Sequence, residues 1–353
     1  MDLKSLPQSW PRPSRPRPIV AIGAGGIMRS AHLPAYQRLG FWVAGAYDQD
    51  GLKAAALAKD FGLPKAFGSL DEALRQERVV YDLAVPASAA LGILERLPEG
   101  AAVLIQKPLG EDLAQASAIV KVCRQKKLAA AVNFQLRFSP NMLALRAVVQ
   151  SGALGRLVDA DVRIVIDQPW QLWTFLKSLP RLEVLYHSIH YLDLLRSLLG
   201  EPKGVKALGA KHPALEGLAD ARGSILLDYG PDLRCSLVMN HTHRQGRRHQ
   251  ASQLTLEGLE GAAVAGLGVN LDYPKGEADT LELSLGQGWQ SLPLRGSWFT
   301  EAFEGPMSNL QRFVAGEDAA LVSPVDDALK TMALVEACYA SESGPSTPIP
   351  EAG

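Results

Sequence analysis

Cysteine is scarce in this chain. There are three in 353 residues, Cys123, Cys235 and Cys338, far apart and in no C-x-x-C pair. That excludes a disulfide scaffold and a thiolate zinc site, and it fits a reducing compartment, so the cytoplasm is expected. No apolar run is long enough to span a bilayer, so no membrane is expected. Charge of one sign is lacking too: the formal net charge is -1, which removes the electrostatic case for nucleic acid. The opening residues lack the apolar core of a secretory signal. Arg12, Arg15 and Arg17 are separated and form no twin-arginine pair. Residues 1–17 instead carry Pro7, Pro11, Pro13 and Pro16 and read as an extended polyproline-like arm. A disordered tail is one expectation for it; an arm anchored by Trp10 on a neighbouring subunit is the other.

What remains is an ordinary globular composition, 47% hydrophobic and 21% charged, long enough for two or three domains. Pro18–Ile22 is a short apolar strand, and Gly23-Ala24-Gly25-Gly26-Ile27-Met28 follows it before a helix over 30–39. Glycines at such a turn let the backbone approach a pyrophosphate seated on the helix N-terminus. The fingerprint G-x-G-x-x-G has Met28 in place of its last glycine. A second strand, 42–47, ends at Asp48, about 20 residues after the glycines, where an acid bonds the ribose hydroxyls of NAD and repels a 2′-phosphate. NAD is therefore expected over NADP, which stays possible. Asp48 also reads as a turn acid in Asp48-Gln49-Asp50-Gly51.

The alternation continues: helices over 52–61 and 70–76, the latter capped by Ser69, strand 79–85 broken at Pro86, helix 89–97, strand 103–105, helix 111–127 and strand 129–132. This pattern predicts a doubly wound parallel sheet. Gln106-Lys107-Pro108 follows the run Val103-Leu104-Ile105 and puts a cation at the carboxyl end of a strand, where ligands bind in open α/β sheets. A solvated surface lysine is the plainer alternative.

After residue 132 the pattern changes. Residues 141–150 read as helix and 157–166 alternate with period two. Strands follow at 223–228, 232–240, 253–258, 262–269 and 280–285, with helices over 299–314 and 325–341. An arm (1–17), a dinucleotide-binding domain (18–132) and an α+β domain (133–353) are expected, with the last helix set to pack back on the first sheet. A helix from Tyr186 to Gly200 carries the chemistry candidates. Tyr186, His190 and Asp193 would share one face, His187 and His190 would converge, and Asp193 would orient the His190 imidazole. Taken alone, such a histidine is more often a packed residue. A metal at His187, His190 and Asp193, or at His241, His243 and His249, is weighed and set aside, because tight zinc motifs are missing. Asn240–His243 reads either as a polar strand end or as sugar-pocket lining. Arg137 has two readings: a fork for a substrate carboxylate, or an interdomain structural arginine.

These motifs, in this order, carry a family resemblance: Ile22–Ile27 with His32-Leu33-Pro34-Ala35, Val85-Pro86, Gln106-Lys107-Pro108-Leu109, Asn133–Pro140, Gly152–Gly155, and His190 with Asp193 and Gly200. The chain resembles the glucose–fructose oxidoreductase, inositol dehydrogenase and rhizopine-catabolism (Gfo/Idh/MocA) family. The resemblance implies a Rossmann domain plus a domain with an open antiparallel sheet, and a homodimer or homotetramer formed through that sheet. It also implies an NAD(P)-dependent oxidoreductase acting on a secondary alcohol or hemiacetal carbon of a sugar, sugar acid or cyclitol. Gly23, Gly25, Gly26, Ile27, Asp48, Pro86, Gln106 and Lys107 would hold cofactor. His190 and Lys107 would be catalytic, with Tyr186, His187 and Arg137 near substrate. NAD-dependent glycoside cleavage, reduction of a non-sugar carbonyl and non-enzymatic dinucleotide sensing are the rivals. Two positions depart from the family. Gln106 stands where it usually has glutamate, and Tyr186 where many members have aspartate. With an amide beside it in a dry site, Lys107 should titrate lower and share the base role.

Overall fold

The computed structural model describes residues 2–350 except 173–175, 178 and 274. Strands β1 (Ile19–Ile22), β2 (Val43–Tyr47), β3 (Val80–Leu83), β4 (Ala102–Ile105) and β5 (Ala129–Val132) form a parallel sheet in the order β2-β1-β3-β4-β5. Between them run helices α1 (Leu33–Leu39), α2 (Gly51–Phe61), α3 (Leu70–Leu74), α4 (Ala87–Leu94) and α5 (Leu113–Gln125). Successive strand residues face opposite sides, so both faces need cover. Val20, Ile22, Val103 and Ile105 pack one way, against α4 and α5. Ile19, Ala21, Val80 and Leu104 pack the other way, against α1 and α2. The expected cap on α3 is present: Ser69 Oγ accepts from Glu72 N–H at 3.2 Å.

Helix α6 (Pro140–Gln150) leads to β6 (Leu157–Val165), and α7 spans Ile189–Leu199. Strands β7 (Gly204–Ala210), β8 (Arg222–Asp228), β9 (Arg234–Asn240), β10 (Ala251–Gly258), β11 (Ala262–Gly266), β12 (Thr280–Ser284) and β13 (Trp289–Ser291) complete a second sheet. Its order is β13-β12-β11-β10-β6-β9-β8-β7. It departs from the all-antiparallel expectation at one place, where β6 and β9 pair in parallel. The chain leaves β6, crosses through α7, and returns by the β7–β8–β9 meander, so β9 enters beside β6 in the same direction.

Helices α8 (Glu304–Val314) and α9 (Val325–Glu342) tie the two sheets together. Phe303, Met307 and Leu310 join the core on the α1 side of the first sheet. The segment between α8 and α9 extends that sheet's edge: Val132 N–H donates to Ser323 O at 2.9 Å. Helix α9 lies against α5, α7 and β7.

The proline-rich arm is not a disordered tail. It lies on its own chain. Trp10 Nε1 donates to Asp318 at 2.8 Å and its ring meets Phe138 edge-on at 5.4 Å. The Arg17 N–H donates to Gln311 at 2.6 Å. An extended segment with few backbone partners is held by side chains reaching to it from α8 and the turn after it.

Candidate active site

Site residues come from two edges that face each other: the carboxyl ends of the first sheet's strands and the turn leading into α7. At the first edge, Gly23 must be glycine. Its φ is +99°, and an added Cβ would stand 2.2 Å from the Ala84 carbonyl oxygen. Gly25 and Gly26 differ: a Cβ at either would meet nothing within 4 Å. The turn is thus an open cradle beside the Ile27 turn, shaped for a phosphate-bearing group. Asp48, at the end of β2, accepts from Ala24 N–H at 2.7 Å and from Asp50 N–H at 2.9 Å. It pins the glycine turn to the end of β2. These groups fit a dinucleotide, and Pro86 caps α4 at the same edge.

Next to the cradle runs a buried polar chain. Gln106 Oε1 accepts from Asn133 Nδ2 at 2.9 Å, and the same Asn133 group meets His32 Nε2 at 3.2 Å. His32 Nδ1 contacts Asp82 at 2.8 Å, and Tyr36 OH donates to the same carboxylate oxygen at 2.6 Å. With Asn133 donating to Nε2, the His32 proton sits on Nδ1, toward Asp82. Gln106 therefore faces Asn133, and the amide that replaces the family's glutamate is held by a neighbouring amide.

Lys107 is half-buried, and its Nζ donates to the Tyr186 carbonyl at 2.9 Å. Burial lowers its pKa to about 8, the direction expected for a lysine flanked by an amide. This bond joins the end of β4 to the opposite edge of the site.

That opposite edge is not one helix from Tyr186 onward. Glu183–Ser188 forms a wide turn with π geometry, and only then does α7 begin. Such turns occur often at functional sites. The wide turn offsets the i, i+4 register, so the expected shared face breaks up. His190 packs edge-on against Trp298 at 5.6 Å, and neither His190 Nδ1 nor Trp298 Nε1 has a partner among the described residues. Burial, with the Lys107 charge, lowers the His190 pKa well below the usual histidine value. Both effects favour the neutral imidazole. His187 goes elsewhere, stacking on His241 at 4.6 Å and meeting Trp170 edge-on at 5.1 Å. The cleft of about 510 Å³ beside this turn is lined by Tyr186, Arg181, Glu111 and Glu336.

Two expectations need correction. Asp193 does not orient His190. It is the partner of Arg137, whose Nε and Nη2 grip both carboxylate oxygens at 2.6 Å. Arg137 also donates to Asp327 at 2.7 Å and to the Val322 carbonyl at 2.9 Å. At 4% exposure it has no fork left for a substrate carboxylate. It is the structural arginine of the domain junction. Glu183 escaped sequence reasoning altogether, although an isolated acid four residues before His187 in an apolar run was a signal for it. Trp298, in a loop with no pattern, left none.

Fold and site together define an NAD-binding oxidoreductase. Residues 18–134 match the model described as the oxidoreductase family, NAD-binding Rossmann fold, and residues 142–264 match the GFO/IDH/MocA C-terminal domain. The chain belongs to the Gfo/Idh/MocA family. It is 26% identical over 339 residues to a D-apiose dehydrogenase of Paraburkholderia graminis, covering 91% of this chain and 86% of that one. To an inositol 2-dehydrogenase of Rhizobium meliloti it is 24% identical over 303 residues, covering 82% and 85%. An oxidoreductase of Agrobacterium radiobacter, solved with NAD+, L-tartaric acid and magnesium, superposes with a TM-score of 0.78 at 19% identity, over 93% of this chain and 97% of that one. No described helix is long and apolar enough to cross a membrane.

Proposed function

We propose that the protein is an NAD-dependent dehydrogenase acting on a secondary alcohol or hemiacetal carbon of a sugar, sugar acid or cyclitol. The observation that carries this reading is the bond from Lys107 Nζ to the Tyr186 carbonyl. It holds a low-titrating cation beside the segment bearing His190, whose Nδ1 is unpartnered. The named activities of the apiose and inositol relatives support the substrate class.

When bound, NAD supplies the hydride acceptor. Gly23, Gly25, Gly26 and Ile27 would hold its pyrophosphate and Asp48 its ribose, with Pro86 and Gln106 at the same sheet edge. His190 accepts the hydroxyl proton at its free ring nitrogen. Lys107, an ammonium below about pH 8, gives one N–H to the Tyr186 carbonyl and, among the described residues, has two left to stabilise the negative charge developing on that oxygen. Tyr186 borders the substrate. The working form is a homo-oligomer joined through the outer face of the second sheet, where Leu208, Leu226 and Trp289 are exposed. Three buried, unpaired cysteines support a reducing compartment, the cytoplasm. A panel of sugars, sugar acids and cyclitols with NAD and with NADP, followed by nicotinamide absorbance, tests the proposal. NAD reduction by at least one of these classes is expected. Turnover without net NAD reduction would replace the reading with redox-neutral chemistry.

A further inference from the structure

Behind His190 lies a second cluster that this chemistry does not use. Glu183, His187 and His241 bring one carboxylate oxygen and two imidazole nitrogens within 4.8 Å of one another. All three facing atoms, Glu183 Oε2, His187 Nδ1 and His241 Nδ1, are buried, and none makes a well-aligned hydrogen bond among the described residues, although Glu183 Oε2 meets His241 Nδ1 as an ion-pair contact at 2.7 Å. Buried carboxylate and imidazole atoms without well-formed hydrogen bonds are costly, and three that converge make a candidate ligand set for a cation. We propose that Glu183, His187 and His241 bind a divalent transition metal of the zinc class.

The distances suit it. Zinc lies about 2.0–2.2 Å from such donors, so tetrahedral donors stand roughly 3.4 Å apart. Glu183 Oε2 is 3.9 Å from His187 Nδ1 and in direct contact with His241 Nδ1 at 2.7 Å, so a bound metal would replace that contact and part the two atoms by roughly 0.7 Å. Two imidazoles and one carboxylate select zinc, iron(II) or cobalt over magnesium or calcium, which want oxygen only. Three protein ligands also leave a fourth position open, as in catalytic rather than structural sites.

The surroundings hold the donors in place. Ser188 Oγ donates to Glu183 Oε1 at 2.9 Å, which leaves Oε2 to face the imidazoles. Asp220 accepts from the Glu183 backbone N–H at 3.2 Å and so fixes the turn. Trp170 Nε1 donates to the His241 carbonyl at 3.0 Å, and its ring walls both imidazoles. Such outer partners are what orients metal ligands. The wide turn itself is explained: it puts Glu183 and His187 on one side of the chain and His190 on another.

The test uses the 353-residue chain, free of any affinity tag and stripped with chelator. Titration with zinc chloride should show one tight equivalent per chain, unaffected by millimolar magnesium. Cobalt(II) in its place should give visible d–d absorption of a low-coordinate site. Glu183→Gln and His241→Ala, checked for folding by circular dichroism, should lose both signals. Either variant keeping the wild-type cobalt spectrum would overturn the proposal. A wild-type chain that takes no stoichiometric zinc and gives no cobalt band would also overturn it, whatever the variants do. Because these readouts need neither NAD nor substrate, they stand apart from the dehydrogenase reading.

Discussion

Two cations sit at the junction of the sheets, and they are treated in opposite ways. Arg137 is 4% exposed and every direction of its guanidinium is used, by Asp193, Asp327 and the Val322 carbonyl. Arg196, a turn further along α7, joins the same network through Asp327 and Glu201. Lys107 is half-buried and, among the described residues, has one hydrogen bond, to a backbone carbonyl. Helix α7 serves both: Asp193 and Arg196 face α9 and lock the sheets together, while His190 faces Trp298 with a free nitrogen. A polar group whose partners are complete stabilises a fold. One left incomplete in a buried place has its free energy available for a ligand.

The comparison predicts different kinds of damage. His190→Ala should lower kcat by roughly a thousandfold, the range for a lost general base, with melting temperature within a few degrees of wild type. Unfolding without specific loss of turnover would move His190 to the structural side. Asp193→Ala should do the reverse, costing on the order of 3 kcal/mol in denaturant unfolding because it leaves Arg137 short of its main partner. Normal stability with selective loss of activity would erase the distinction. Trp10→Ala should cost about 1–2 kcal/mol through the lost indole bond and ring contact, with NAD binding unchanged.

A finer effect concerns Gln106. With Lys107 working as an ammonium, kcat/KM should fall as pH rises through about 8. Gln106→Glu puts a carboxylate beside the ammonium, favours the charged form, and should carry that limb upward by about one pH unit. A rate that instead rises through pH 8 would exchange the roles of Lys107 and His190. An unmoved limb would make residue 106 purely a partner of Asn133.

Which features were legible in the amino-acid order follows from how local they are. The glycine turn, the strand ends at Asp48 and Lys107, and the alternation of the first half depend on neighbours a few residues away, and all are seen. Strand β7 was hidden because Gly204-Val205-Lys206-Ala207-Leu208-Gly209-Ala210 has glycines where a strand signal needs bulk. The partners of Arg137 lie 56 and 190 residues downstream, and nothing nearby announces them. Asp193 was assigned to His190 for the same reason: helical spacing was visible, while the competing arginine was not. The wide turn at Glu183–Ser188 changes register without any glycine or proline to mark it. The meeting of His187 with His241 depends on where β9 ends, which only the sheet order sets.

The central claim is that the incomplete cation, Lys107, works on the substrate and is not part of the scaffold. Its most direct test is Lys107→Ala, with single-turnover rate and NAD affinity measured on the same preparation. The account predicts a rate lower by about a thousandfold and a dissociation constant for NAD within a few-fold of wild type. Near-wild-type turnover, or loss of NAD binding in proportion to loss of rate, would contradict it.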